Sequence, residues 1–404
     1  MMILSHPTGN QNVRNAALAL YQADRLERFY TTVAWKETSG LSKLLPRSML
    51  ATLRRRRYEM LPESRVATYP TREMCRLLAV GLKLDALTRH EHGPCCVDAV
   101  YRALDARVAR ELLRAKTVTG VYTYEDGALR TLQAARERGV RANYELASPH
   151  WRAAAHIFAE EAERSPAWAS TLTALHDSEE KLARKDEEIR LADRVIVASR
   201  FTADSLKLGN FAGKDVVIVP YGAPRPIERI APRELDSRLR VLFVGGLSQG
   251  KGLSYLFDAV ERLGKRISLT IIGRRKQECR VLDARLEKCR YIESLPHEEV
   301  LREMRQHDVL VFPSLWDGFG LVILEAMSQG LPVIASTHCG GPDVITDGED
   351  GFVVPIRDAD AIAEKLERLA GEADLLERMK IAALQTAQRR SWEHYRSSLV
   401  RHVL

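Results

Sequence analysis

Five short runs rich in valine, isoleucine and leucine mark the second half of the chain: Leu239 to Val244, Ser268 to Ile272, Tyr291 to Leu295, Val309 to Pro313 and Pro332 to Ala335. Their brevity and near-continuous apolar character suit strands buried on both faces of a parallel sheet. Amphipathic segments such as Leu253 to Leu263 and Ala359 to Leu369 separate them. A strand–helix–strand rhythm of this kind specifies an α/β layer structure with a doubly wound parallel sheet. The first half repeats it less clearly, with strands expected at Ile3-Leu4, Tyr30 to Val33, Gly120 to Tyr122, Arg141 to Leu146 and Val195 to Ala198. Its plainest helix is Ser178 to Ala192, opened by a serine able to cap the first turn and carrying interleaved charges of both signs.

A length of 404 residues allows two such domains. The stretch Tyr221 to Pro232, rich in proline, is the best linker, so the expected boundary separates a domain of residues 1–221 from one beginning at 222. The two halves share a rhythm without a sequence repeat at a fixed period.

Charged residues make up 28% of the chain and hydrophobic residues 45%, which argues against disorder. No apolar run approaches the length of a membrane span, and the first residues lack the pattern of a secretory signal. The six cysteines show no C-x-x-C spacing; reduced thiols in a cytoplasmic protein are the expectation. A net charge of +7 points to phosphate-bearing small molecules or an anionic surface. No zinc finger, RNA-binding signature or basic zipper is present, so nucleic acid is not an expected partner.

The segment Val311 to Ala335 (VFPSLWDGFGLVILEAMSQGLPVIA) carries the most chemistry. A strand ends at Pro313, a loop holds Asp317-Gly318-Phe319-Gly320, and a helix follows from about Leu321. Glycines before a helix let backbone amides approach an anion or a sugar hydroxyl. Asp317 and Glu325 lie eight residues apart, about 12 Å along a helix, which is the reach of a nucleotide-sugar. One carboxylate would hold sugar hydroxyls and the other a ribose diol. The alternative is a helix-capping aspartate and a solvated glutamate; the glycines argue for the functional reading. A second segment, Val241 to Gly252 (VLFVGGLSQGKG), sets Gly245, Gly246 and Lys251 between a strand and a helix. That order suits a diphosphate, although the spacing is not that of a P-loop.

These residues resemble the retaining glycosyltransferases of family 4, whose GT-B architecture has two Rossmann-like domains facing across a cleft. The family's paired acids match Asp317 and Glu325, with Asp in the first place; EAMSQGLPVIAS, GPDVITDGEDGFVVP, VLFVGGLSQGKG, VVIVPYGA and RKDEEIRLADRVIVASRFTADSL also fit its pattern. The resemblance is most specific between 241 and 355 and loosest between 35 and 115. It implies an acceptor domain at 1–221, a donor domain at 222–388, and a C-terminal helix within 389–404, anchored by Trp392 and Tyr395, crossing back onto the first domain.

The resemblance also implies site roles. Lys251 would contact the diphosphate and Glu325 the ribose. Asp317 with the amides of Gly318, Phe319, Gly320 and Leu321 would hold the transferred sugar. The family's usual arginine after the first glycine of the Gly-x-Leu turn is Gly246 here, so Arg274 or Arg275 becomes the candidate second cation. Gly9 and Asn10, in the loop His6 to Asn12, would approach the donor phosphate, with Asn12 as an alternative helix cap. His150 would stand near the transferred sugar as a catalytic residue. No cofactor and no metal is implied: the donor is a substrate, a UDP- or GDP-sugar, and the acceptor a glycan, a lipid-linked or a small molecule.

The expected reaction is metal-independent transfer with retention, by front-face attack in which the leaving phosphate takes the acceptor proton. The alternatives are a nucleotide-sugar epimerase of the same architecture and a non-catalytic nucleotide-sugar-binding protein. Within Leu41 to Leu61, the run Arg54 to Arg57 forms a candidate basic face for peripheral membrane contact, against the simpler reading of a solvated helix face.

Overall fold

A computed structural model describes residues 1–36, 47–172, 177–230 and 238–404. Residues 41–46 of the Leu41 to Leu61 stretch and residues 231–232 of the proline-rich stretch lie outside the described residues.

Two all-parallel sheets organise the chain. The first contains β1 (Met2–Ser5), β2 (Leu26–Thr31), β3 (Val66–Thr68), β4 (Gly120–Tyr124), β5 (Arg141–Leu146), β6 (Arg194–Val197) and β7 (Asp215–Ile218), in the order β3-β2-β1-β4-β5-β6-β7. The second contains β8 (Leu239–Val244), β9 (Ile267–Ile272), β10 (Arg290–Ile292), β11 (Val309–Phe312), β12 (Val333–Ser336) and β13 (Gly351–Val354), in the order β10-β9-β8-β11-β12-β13. The expected α/β fold of two doubly wound sheets is therefore what the chain adopts.

The strands read from apolar runs are the buried ones: every residue of β1, β4, β11 and β12 is buried. Two edge strands, β3 and β13, were not expected. Val66–Thr68 is short and half-exposed, so it lacks the apolar run that burial on both faces demands. Gly351–Val354 follows a turn-rich stretch and reads as loop. Strand β2 begins at Leu26, four residues before the expected start, because half-buried Glu27 and Arg28 break the apolar run.

Helices follow their capping signals. Ser178 caps Glu179–Leu191, its Oγ accepting from the Lys181 N–H at 3.2 Å. That helix is not merely solvated, since Lys181, Asp186 and Glu188 are buried on it. The C-terminal helix Trp392–Val403 buries Tyr395 and Leu399 and packs against helix Gln11–Gln22, where Arg396 donates to Asn15 Oδ1 at 2.9 Å. One core cluster runs continuously from Leu4, Leu20 and Phe29 through Tyr221 to Phe319, Leu324 and Leu399. The proline-rich stretch is anchored to this body: Ala223 N–H donates to Arg390 O at 2.7 Å and Ile227 N–H to Ser328 O at 2.9 Å.

In each sheet the strand order reverses once, between β1 and β4 and between β8 and β11. In open α/β sheets, ligands bind at the carboxyl ends of strands beside such a reversal. The loops after β1, β4, β8 and β11 are therefore where chemistry is expected.

Candidate active site

The loops after β8 and β11 interlock. Gly245 N–H donates to Ile272 O and Leu247 N–H to Arg274 O, both at 3.0 Å, so the first loop leans on the end of β9. A short turn, Gln249–Lys251, ends at Gly252 with φ of +70°, where a Cβ would collide with the Pro313 carbonyl oxygen. Only glycine suits that position. The Gly250 carbonyl accepts from Leu315 N–H at 3.0 Å and from Ser314 Oγ at 3.3 Å.

This knitting places Lys251 against Asp317. The Lys251 ammonium pairs with Asp317 Oδ2, lies 3.4 Å from the Trp316 carbonyl oxygen and stands 5.7 Å from the Phe312 ring centre. Asp317 Oδ1 accepts from Phe319 N–H at 3.0 Å. Asp317 therefore braces its own loop and is not the cap of helix Leu321–Ser328, whose preceding residue is Gly320 at φ +81°. The two side chains remain 20–21% exposed, so the pair faces the cleft instead of being sealed in the core.

Glu325 lies on the second turn of that helix, 15% exposed, with His297 Nδ1 at 3.9 Å from its carboxylate. Burial pushes its carboxyl above the usual range, against the opposing effect of His297. This is not a solvated face residue. His297 opens helix His297–Met304 after β10 and was not singled out in the sequence; a lone histidine at a helix start carries no distinguishing signal.

Several expected contacts fall elsewhere. His150 is buried and caps helix Trp151–Arg164: its Nδ1 accepts from Arg152 N–H at 3.3 Å. Its Nε2 lies 2.9 Å from Asp186 Oδ1, which makes Nε2 the protonated nitrogen. Both ring nitrogens of His150, the expected catalytic histidine, thus have partners within the first half. Asn10, not Asn12, caps helix Gln11–Gln22, with Oδ1 accepting from Val13 N–H at 3.1 Å. Asn12 is buried and donates to Glu145 Oε1 at 2.8 Å. Gly9 has φ of +58°, and a Cβ there would collide with the Tyr58 hydroxyl.

The loop after β1 is held by His6, whose Nδ1 accepts from the N–H groups of Thr8 (3.1 Å) and Gly9 (2.9 Å). Burial, with a smaller contribution from Arg56, pushes His6 down to about 3. Its stability contribution is then present above the unfolded value near 6.5 and is lost as pH falls from there toward 3. Between about pH 6.5 and pH 5 the loss is about 2 kcal/mol. Urea titrations at the two pH values should show this slope, and His6→Gln should flatten it; an unchanged slope would remove His6 as its source.

The two arginines expected to supply a second cation have side-chain partners of their own. Arg275 is paired with Asp283 at 2.8 Å, and Arg274 reaches Ser294 Oγ at 3.5 Å. Lys276, overlooked in the sequence, places Cε 3.0 Å from where a Cβ on Gly246 would sit. The Arg54 to Arg57 run is not one basic face. The helix ends at Arg54, and Arg56 is buried with its guanidinium 2.5 Å from the Glu73 carboxylate.

The two halves meet at the Asp317 loop. The Gly318 carbonyl accepts from Ser199 Oγ at 2.6 Å and Thr202 Oγ1 at 3.0 Å, and the Tyr221 and Phe319 ring centres lie 5.2 Å apart. Arg200 N–H donates to Asp343 Oδ2 at 2.8 Å. Farther along, Arg357 joins Glu160 and Glu161 at 2.7 and 2.8 Å. A cavity of about 1040 Å³ opens instead near the amino-terminal ends of β8 and β9, beside Arg240, Ile267 and His307, away from the reversal-point loops.

Among the described residues, one trio of ligand atoms, from His90, Glu91 and Asp177, lies within 4.8 Å of one another. Glu91 already accepts from Ser178 N–H at 2.8 Å, and Asp177 is paired with Lys181 and Lys185 at 2.9 and 3.1 Å. Two ammonium groups beside the trio disfavour a divalent cation.

Comparison with known proteins finds similarity in sequence and in fold. Residues 225–386 match the family model "Glycosyl transferases group 1". The chain is 34% identical over 157 residues to an amylovoran biosynthesis glycosyltransferase of Erwinia amylovora, covering 35% of this chain and 39% of that protein. It is 26% identical over 369 residues to a D-inositol 3-phosphate glycosyltransferase of Streptomyces bingchenggensis, covering 79% of each. It is 32% identical over 199 residues to a phosphatidyl-myo-inositol mannosyltransferase of Mycobacterium leprae, covering 47% and 53%. Matches thus span about half or less of the Erwinia and Mycobacterium relatives.

Among solved structures, a sucrose-phosphate synthase of Thermosynechococcus elongatus superposes with a TM-score of 0.68 at 17% identity, covering 99% and 97% of the two chains. Anabaena Alr3699/HepE, solved with UDP-glucose, superposes at 0.60 and 14% identity, covering 99% and 98%. The chain therefore has the GT-B architecture of two Rossmann-like domains, and its residues 225–386 are similar to the Glycosyl transferases group 1 model.

Proposed function

We propose that the protein is a glycosyltransferase that moves a sugar from a nucleotide-diphosphate donor to a hydroxyl acceptor, with retention and without a metal. The observation that carries this reading is the junction of Lys251, Asp317 and the start of helix Leu321–Ser328, with Glu325 one turn farther along. A cation beside a helix N-terminus suits a diphosphate, and two carboxylates at different depths suit the sugar and the ribose. The relatives' names support sugar transfer, and a UDP-glucose complex of a structural neighbour supports a UDP-type donor. Two relatives are named for inositol phosphate or phosphatidylinositol acceptors.

In the proposed step the bond from the anomeric carbon to phosphate oxygen breaks as the acceptor oxygen bonds to the same face. The acceptor proton passes to the departing phosphate oxygen. Lys251 stabilises the charge that develops there, joined by Lys276 from above Gly246, and Asp317 orients the sugar hydroxyls. A β-linked product from an α-linked donor would refute front-face attack.

The test is calorimetric binding against UDP-, GDP-, ADP- and dTDP-sugars with and without divalent metal. One nucleotide should bind selectively, and Glu325→Gln should weaken it about tenfold, the loss of a charged hydrogen-bond acceptor. Affinity should also fall on acidification as Glu325 protonates, beginning at a higher pH than for an ordinary glutamate. Equal affinity in the variant would remove Glu325 from the donor site. The absence of binding by any donor would sink the function.

A further inference from the structure

A cavity of about 570 Å³ opens at the carboxyl ends of β4 and β5, on the first-half side of the cleft. Its volume falls in the range for small-molecule sites, about 300–1,000 Å³. Trp316, the neighbour of Asp317, forms one wall, and Trp151 with Pro149 forms another. The site is thus adjacent to the loop that would hold the transferred sugar. Gly318 of that loop abuts the Ala147 carbonyl, one residue before Ser148 on the cavity rim.

The charged lining is mixed, with three carboxyl groups, two ammonium groups and His90. Glu125, Asp126 and Asp177 face Lys181 and Lys185. Each ammonium is shared between at least two carboxylates, whereas Lys251 in the donor loop faces Asp317. Lys181 lies 2.9 Å from Asp177 and 3.0 Å from Asp98. Lys185 lies 3.1 Å from Asp177, 3.5 Å from Glu125 and 3.7 Å from Asp126. A phosphate would have to displace these carboxylates and then face them at close range. Hydroxyl groups, in contrast, find charged acceptors, and the apolar C–H face of a pyranose finds indole surface. Burial holds Glu125 up at about 7, so near neutrality it offers a hydroxyl either an acceptor or a donor. The Trp316 indole N–H has no hydrogen-bond partner among the described residues.

From this lining we infer that the cavity is the acceptor subsite and that it takes an uncharged sugar unit, not a phosphorylated polyol. The inference rests on the glycosyltransferase reading and specifies the acceptor class within it.

The experiment pairs the donor found by calorimetry with two acceptor sets: neutral pyranosides and disaccharides, and hexose 6-phosphates with inositol 1-phosphate. Release of nucleoside diphosphate and the glycosylated product are both followed. Neutral acceptors should exceed their phosphorylated counterparts at least tenfold in kcat/KM. Asp126→Asn, a replacement that the left-handed backbone at φ +70° accepts, should raise the neutral-acceptor KM several-fold while donor affinity stays at the wild-type value. Preference for the phosphorylated set, or transfer to no neutral glycoside by a protein that binds its donor, would overturn the acceptor class and leave the donor site standing. Failure to bind any donor would overturn the underlying function, a result distinct from both.

Discussion

Replacing Lys251 by methionine is expected to lower kcat/KM by about two to three orders of magnitude, the usual effect of removing one group that stabilises transition-state charge. Methionine keeps the length of the side chain and its packing on Phe312. What it removes is the ammonium beside Asp317 and the helix start. The pair is partly exposed, so Asp317 is left near solvent and the fold should lose no more than about 1 kcal/mol. The separation of effects is the point: steady-state kinetics should collapse while the thermal midpoint moves by only a few degrees. A variant within threefold of wild type would show that Lys251 serves the loop and not the donor.

Gly318→Ala is the second large effect. A Cβ there would collide with the Ala147 carbonyl oxygen, and it would lie 2.9 Å from that carbonyl carbon and 3.2 Å from the Ser148 Cα. These are backbone atoms, so no rotamer change relieves the contact. The two halves must separate, pulling the Gly318 carbonyl away from Ser199 and Thr202. A displacement of about 1 Å at reacting groups costs about 10²-fold in rate. The expected result is a drop of that size in kcat with donor affinity retained, because Lys251 and Glu325 both lie on the second-half side. Each half keeps its own core, so the protein should still unfold cooperatively. Unchanged kcat would mean that the contact at Gly318 does not set the catalytic geometry.

The parallel sheets were legible because strands buried on both faces must be written as apolar runs. Leu239–Val244 has its expected ends for that reason. The exposed edge strand Val66–Thr68 escapes this requirement and is invisible accordingly, whereas the buried Gly351–Val354 is masked by the turn residues before it. The junction of Lys251 with Asp317 was half legible: both residues stood out beside glycines, but their pairing depends on Gly252 letting one loop touch the other. His150 is ambiguous in the sequence because a histidine after a strand reads the same whether it points into a cleft or caps the next helix. Only Arg152 N–H and Asp186, one on each ring nitrogen, decide between them.

By itself the sequence determined the doubly wound α/β class, the helix caps such as Ser178, and the acid and lysine loops of the second half. These depend on local periodicity, turn chemistry and spacing, which are properties of a single segment. Only the tertiary structure decided that Arg56 is buried against Glu73, that Lys276 stands over Gly246, and that Lys181 and Lys185 are neutralised by acids from other elements. The reason is physical: whether a charge is free or paired is set by what other segments bring within about 4 Å, and no stretch of sequence carries that information alone.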